Sequence, residues 1–248
     1  MNRPNSEFKL NEHYSYSLQS KYPFVTLSFG MSLDGKIATY SGDSKYISGP
    51  EALDFIHELR HEHQSILIGI NTVMIDHPKL TTRLKNVTGR NPIKVILDTS
   101  LKIDVNEPLF SSSEALTYIV THVSSNAIKK QTLRDKGIKI IEINSKPMPV
   151  DEILIRLKNE GIESVLVEGG GTIHFAFIKA RMFNRLYATV SPIIIGGEKA
   201  KTAVAGEGFD TLKSAARLKF INWTQLGNDY VIEAVLDEEN KQMMEARK

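Results

Sequence analysis

The sequence contains no cysteine. Disulfides, thiolate zinc sites and cysteine-ligated iron–sulfur clusters are therefore excluded, and a reducing, cytoplasmic compartment fits the composition. No stretch reaches the roughly 18 apolar residues of a membrane-spanning helix. The opening segment, MNRPNSEFKLNEHYSYSLQSKYP, is polar and lacks the apolar centre of a secretory signal. Neither sign of charge is in excess. The 31 basic and 29 acidic side chains leave a net charge of +2, too weak a field to argue for nucleic acid or a membrane surface as a partner. Internal repeats, low-complexity linkers and breaks in composition are also lacking. What remains, 248 residues with 41% hydrophobic and 24% charged, is ordinary globular composition and is enough to bury a core without staples.

Short apolar runs recur with helical patterns between them. Residues 24–29 (FVTLSF), 65–70 (SILIGI), 93–98 (IKVILD), 115–121 (ALTYIVT), 138–143 (IKIIEI), 164–167 (SVLV) and 185–195 (RLYATVSPIII) read as buried strands. Residues 218–226 and 229–236 read as a hairpin across Gly227 and Asn228. A helix is expected from Gly49 and Pro50 through EALDFIHELRHEH, with Pro in the first turn. Others are expected over residues 125–136 and 150–160, each stopped by a glycine, Gly137 and Gly161, and over residues 172–180. This alternation predicts a single α/β domain with a mixed, mostly parallel sheet flanked by helices. Residues 1–21 are expected to be a tail or surface arm, residues 22–237 the domain, and residues 238–248 a frayed helix or disordered tail.

Three segments carry candidate chemistry. In Val167-Glu168-Gly169-Gly170-Gly171-Thr172 a strand runs through three glycines into an apolar helix. Glycines let a ligand approach the backbone, and a helix N-terminus offers unpaired N–H groups to a phosphate. The spacing is not the GxGxxG of a Rossmann turn, and a tight turn without any ligand reads equally well. Glu168, at the strand's C-terminal end, is either a hydrogen-bond acceptor for a polar heterocycle or a helix-capping acid. After the first strand, Ser32-Leu33-Asp34-Gly35-Lys36 leads to Ser41-Gly42-Asp43-Ser44, either a site for polar groups or two surface turns. Gly69-Ile70-Asn71-Thr72 leads to Asp76-His77-Pro78, Leu80 and Arg83, where Asn71 and Thr72 are expected to cap a short helix and could meet a second phosphate.

His57-Glu58-Leu59-Arg60-His61 matches the HExxH signature of zinc proteases. The third ligand is missing: Leu67 stands at one position that would supply it, and no Glu occurs between Glu62 and Glu107. We read these as polar histidines on a partly exposed helix and expect no metal. Arg60, inside the match, and Arg83 are two guanidiniums suited to a substrate phosphate, or ordinary surface arginines.

Taken in order, SLDGKIATYSGDSKYISGPEA, LRHEHQSILIGINTVMIDHPKLTTR, ILDTS, VEGGGT and SPIIIGG resemble the reductase of riboflavin biosynthesis, the RibD C-terminal domain family, itself similar in fold to dihydrofolate reductase. The resemblance spans about residues 22–236. It implies NADPH-dependent reduction of a ribosylamino-pyrimidine 5′-phosphate to its ribitylamino form. It places Gly30, Tyr46, Thr72, Asp76, Leu80 and Thr99 against NADP, together with Gly170, Gly171, Thr172, Ile173, His174, Phe175 and Ala176. It places Ser44, Arg60, Arg83 and Glu168 against the substrate. Tyr46 stands where many relatives have Trp, and Thr99 where Ser is frequent. Without Cys the PCxxC half of a fused zinc deaminase signature cannot exist, so the resemblance is to the stand-alone reductases, acting as homodimers, with 185–195 a candidate contact. Lys36, in the turn beside Ser44, is our candidate catalytic residue, orienting sugar hydroxyls or relaying a proton with Asp34. Two other functions share parts of this pattern: a dihydrofolate-reductase-like enzyme acting on another pterin or imine, and a nucleotide-binding module without catalysis.

Overall fold

The computed structural model describes residues 6–45, 47–85, 89–111 and 115–245; Tyr46 lies outside them. In chain order the elements are α1 (Ser6–Leu18), β1 (Phe24–Ser32), α2 (Pro50–Glu62), β2 (Ser65–Gly69), α3 (Ile70–Asp76), β3 (Ile93–Leu97), β4 (Thr117–His122), α4 (Ala127–Asp135), β5 (Lys139–Ile143), α5 (Val150–Asn159), β6 (Ser164–Gly169), α6 (Gly171–Ala180), β7 (Arg185–Ser191), β8 (Leu218–Leu226), β9 (Asp229–Leu236) and α7 (Glu238–Glu245). The fold is α/β, with mixed, mostly parallel strand pairing and helices between the strands. No described helix is long and apolar enough to cross a membrane. Two compact units are distinguished along the chain. One comprises the described residues up to Phe24 and Glu58–Leu166; the other comprises Val25–His57 and the described residues from Val167 on.

In the first unit β2, β3, β4 and β5 are parallel neighbours, with Ile68 beside Ile96 and Ile96 beside Ile119. Strands covered on both faces are largely apolar, and Ile66, Leu67, Ile68, Val95, Ile96, Ile119 and Val120 are all buried. Alternate residues share a face, so Ile66, Ile68, Ile96 and Ile119 meet Ile103, Leu133, Val73, Leu80 and Leu101 in one cluster. Truncating any of these isoleucines or leucines to Ala would cost about 2–5 kcal/mol. Helix α5 buries Val150, Ile153, Leu154 and Leu157, the one-face spacing of an amphipathic helix, and Gly161 ends it at φ 80°. Helix α4 starts later than residue 125, because Asn126 caps it by accepting the Lys129 N–H at 2.9 Å.

The N-terminal stretch expected to be a tail or arm is instead helix α1, with His13 and Ser17 buried. The His13 ring lies 4.3 Å from Phe24 and 4.4 Å from His63, and Lys158 donates to the Ser17 carbonyl at 2.7 Å. The polar pattern concealed this because the buried face is itself polar. At the other terminus, α7 is helical through Glu245 and buries Asn240.

In the second unit β1 pairs with β7 in parallel, β7 with β9 antiparallel, and β9 with β8 antiparallel, forming the expected hairpin. Two expected strand limits are corrected. β1 runs on to Ser32, so Gly30 is a strand residue, and β7 stops at Ser191 rather than Ile195. Pro192 has no N–H to continue the ladder, and the following backbone is engaged elsewhere, as described below. Ile193 and Ile194 are exposed, whereas residues 186–189 are buried within this unit. The apolar run thus splits into a core strand and an exposed loop.

Candidate functional site

In the second unit β6 continues through Glu168 and Gly169, and the chain then turns at Gly170 with φ 83°. This left-handed backbone suits glycine alone at no steric cost. Helix α6 begins at Gly171 without a side-chain cap. The N–H groups of Ile173 and His174 reach back to the Gly170 carbonyl. Those of Gly171 and Thr172 have no partner among the described residues, and they point along the helix end that carries positive potential. Thr172 is exposed, and Glu168 is half-buried. Gly171 has no room for a side chain, because a Cβ there would lie 2.5 Å from the Thr202 carbonyl oxygen. A bare helix end behind two glycines fits a dinucleotide phosphate. Within the same segment the side chains of His174 and Phe175 are buried, so only their backbone is available to a ligand there. The His174 Nδ1 donates to the Ala203 carbonyl at 2.9 Å, and burial pushes its pKa below the ordinary value near 6.5.

The turn after β1 is closed from both ends: Ser32 N–H donates to Lys36 O at 2.8 Å, and Lys36 N–H to Ser32 Oγ at 2.9 Å. The Asp34 carboxylate, expected to relay a proton or orient a sugar, is instead occupied. It accepts the Ser32 hydroxyl at 2.6 Å, the Ile195 N–H at 3.1 Å and the Gly196 N–H at 2.7 Å. The Ser32 bond first, then the two backbone bonds, hold its pKa down to about 2, which makes it a poor proton carrier near neutrality. Residues 35–37 then bond residues 201–203, with Lys36 bridged to Thr202. Ala205 N–H in turn donates to Gly171 O at 3.0 Å. A strap over residues 192–205 therefore carries both Lys36 and the glycine turn. The Lys36 amine has no partner among the described residues. Ser44 is exposed in the adjoining loop, and Gly30 has Ser48 Oγ 2.8 Å from its would-be Cβ. Neither the strap nor the capture of Asp34 was foreseen; the SPIIIGG motif was the available signal.

In the first unit the C-terminal ends of β2 and β3 are neighbours, Gly69 beside Leu97. The sequence reading that Asn71 and Thr72 could cap α3 is corrected: Gly69 is the N-cap, no side chain bonds it, and both residues lie in the first turn. Asp76 ends α3 and is exposed. Leu80 is left-handed at φ 53° and is buried in the core cluster, which fixes where Thr81 emerges. Thr99 follows Asp98, and its carbonyl accepts the His122 N–H at 3.2 Å. Arg60 donates to Thr81 O at 3.1 Å and Arg83 to Thr81 Oγ1 at 3.4 Å. The fold thus brings both predicted guanidiniums to one residue, 21 and 2 positions away in sequence. Thr81 itself was not singled out, although it lies inside the LTTR stretch.

The HExxH stretch is otherwise engaged. His61 Nδ1 accepts the Arg90 N–H at 3.0 Å, so that lone pair is spent. Among the described residues no group of three or more His, Asp or Glu is arranged to hold a metal.

Fold and site together define an α/β protein whose strands end in glycine turns and a bare helix N-terminus. The chain belongs to the RibD C-terminal domain family, whose profile matches residues 23–232. It is 38% identical over 227 residues to the riboflavin biosynthesis protein RibD of Bacillus amyloliquefaciens, covering 92% of this chain and 61% of that protein. It is 35% identical over 212 residues to the 2,5-diamino-6-ribosylamino-4(3H)-pyrimidinone 5′-phosphate reductase of Methanothermobacter thermautotrophicus, covering 85% of this chain and 97% of the relative. Among solved structures it is similar to Acinetobacter baumannii RibD, with TM-score 0.81 at 26% identity over 93% of this chain and 62% of that one. The chain thus spans about three fifths of the length of the RibD proteins it matches.

Proposed function

We propose that this chain reduces the ribosyl group of a ribosylamino-pyrimidine 5′-phosphate to ribityl in riboflavin biosynthesis, with NADPH as reductant. The observation that carries the reading is the start of α6, where the N–H groups of Gly171 and Thr172 have no partner among the described residues and Gly171 itself has no space for a side chain. When bound, NADPH supplies a hydride to C1′ of the opened sugar. The chain's own residues bind and orient. The first turn of α6 takes a dinucleotide phosphate, with Gly170 to Ala176 lining it through backbone. Gly30, Tyr46, Thr72, Asp76, Leu80 and Thr99 are further cofactor contacts in the same proposal. Arg60 and Arg83, already converging on Thr81, hold the 5′-phosphate. Glu168 and Ser44 accept from or donate to polar groups of the substrate. Lys36, whose amine is uncommitted among the described residues, orients a sugar hydroxyl or holds a proton there.

The Methanothermobacter relative, matched over nearly its full length, favours the undeaminated pyrimidine as substrate. We place the protein in the cytoplasm as a homodimer. The outer strand β8 supports the latter, because Phe220, Ile221 and Trp223 are exposed along it. The test is NADPH oxidation followed spectrophotometrically with the undeaminated and deaminated ribosylamino-pyrimidine phosphates and a dihydropterin side by side. Turnover of the first is the expected result. Turnover of the pterin alone would favour the dihydrofolate-reductase-like alternative, and NADPH binding with no turnover would leave a nucleotide-binding module.

A further inference from the structure

We infer that Asp34 is a positioning residue of the reductase: a carboxylate built into the protein as the fixed anion of a backbone pocket, which sets the strap over residues 192–205 and with it Lys36 and the glycine turn. The inference rests on the proposed reductase reading. An exposed aspartate near neutrality ordinarily spends its hydrogen bonds on water. Here both oxygens are committed to protein donors, two of them consecutive backbone N–H groups, Ile195 and Gly196. Consecutive amides beside left-handed residues form an anion-binding concavity, and Gly196 and Gly197 have φ 68° and 83°. The third donor, the Ser32 hydroxyl, belongs to a buried side chain that also accepts the Lys36 N–H. The same two atoms of Asp34 therefore lock the turn that presents Lys36 and the loop that follows β7.

The effect propagates by backbone alone. Leu33 N–H donates to Ile193 O at 2.9 Å and Ile37 N–H to Lys201 O at 2.8 Å, so the turn is stitched to the strap on either side of Asp34. Beyond that point Ala203 N–H donates to Gly35 O at 3.2 Å and Ala205 N–H to Gly171 O at 3.0 Å. Releasing the Ile195–Gly196 segment frees one end of the strap while leaving its other stitches and the buried strands in place. Because Asp34 is exposed, water can satisfy the amides it releases, and the fold survives the change. What is lost is a defined position for Lys36, and misplacement of a reacting group by about 1 Å can cost on the order of a hundredfold in rate.

The experiment compares the full chain with Asp34→Asn and Asp34→Ala, reading kcat and KM for the ribosylamino-pyrimidine phosphate, the melting temperature, and hydrogen exchange at Ile195 and Gly196. Asn keeps one acceptor but turns an N–H₂ toward an N–H, so it can hold only one of the two amides. The expected result is faster exchange at residues 195 and 196, a melting temperature within a few degrees of the parent, and kcat reduced about tenfold for Asn and on the order of a hundredfold for Ala, with KM changed much less. Parental kcat in both variants, with exchange at 195–196 accelerated, would overturn the positioning role. So would a loss of activity matched one for one by loss of folded protein. If the parent chain itself turned over no ribosylamino-pyrimidine, the reductase reading would fail instead, and the exchange data would still report the Asp34 contact on its own.

Discussion

Replacing Gly171 by Ala sets two known effects against each other at the centre of the proposed cofactor turn. Alanine in place of a helical glycine is ordinarily favourable by up to about 1 kcal/mol. At this position, however, the new Cβ would lie 2.5 Å from the Thr202 carbonyl oxygen, 3.0 Å from the Ala205 Cβ and 3.1 Å from the Ala205 nitrogen. Ordinary contact begins near 3.4 Å, so the carbonyl must retreat by about 0.9 Å. It cannot swing alone, because its neighbours bond the β1 turn through Ile37 N–H to Lys201 O and Ala203 N–H to Gly35 O. Overpacking of this kind costs about 1–3 kcal/mol, which leaves a net loss of about 0–2 kcal/mol after the propensity gain. For a chain of this size that is a fall in melting temperature of up to about 8 °C. The displaced first turn of α6 should also weaken NADPH binding at least about tenfold, as lost charge-assisted bonds would. Differential scanning fluorimetry and titration of NADPH fluorescence measure the two effects. A variant that melts at or above the parent temperature and binds NADPH equally well would refute both the packing argument and the cofactor turn.

Other expectations follow from the same geometry. His174 is held neutral by burial; its unfolded form takes up a proton near pH 6.5 and its folded form only below that, so stability should fall as pH drops from about 7 to 5. Replacing it by Asn, which keeps a donor for Ala203 but does not titrate, should flatten that slope in urea unfolding at pH 7.5 and 5.5; an unchanged slope would assign the effect to other groups. Arg60→Ala and Arg83→Ala should each raise KM for the phosphorylated substrate about tenfold or more, and equal use of the dephosphorylated analogue by the parent enzyme would end the phosphate-clamp idea. Lys36→Ala should lower kcat well beyond its effect on KM, and parental turnover would remove Lys36 from the reaction. Trp223→Glu, on the exposed strand β8, should convert a dimer to a monomer in light scattering; a dimer that persists would place the interface elsewhere.

The order of strands and helices was legible because each buried strand is a continuous apolar run, and because Gly137, Gly161 and Gly227 mark stops that need a left-handed backbone. The hairpin was placed to the residue, 218–226 and 229–236, since its turn residues interrupt two β-rich runs. Limits set by competition were not legible. Residues 193–195 look like strand by composition, but Pro192 cannot continue the ladder and the amides of 195 and 196 are drawn off by Asp34. Helix α1 escaped notice because its buried side is made of His13 and Ser17, whose burial depends on partners far along the chain.

By itself the sequence determined local conformation and the inventory of chemical groups: the absence of thiols, the glycine turn, two arginines, a lysine beside an aspartate. These depend on neighbours a few residues apart, where sterics and periodicity decide. Only the tertiary structure decided which groups remain available. Asp34 is spent on Ile195 and Gly196, 161 and 162 positions away, His174 on Ala203, and His61 on Arg90, while the amine of Lys36 and the first amides of α6 are left uncommitted among the described residues. A hydrogen bond claims a donor or acceptor by distance in space, and separation along the chain carries no information about that distance.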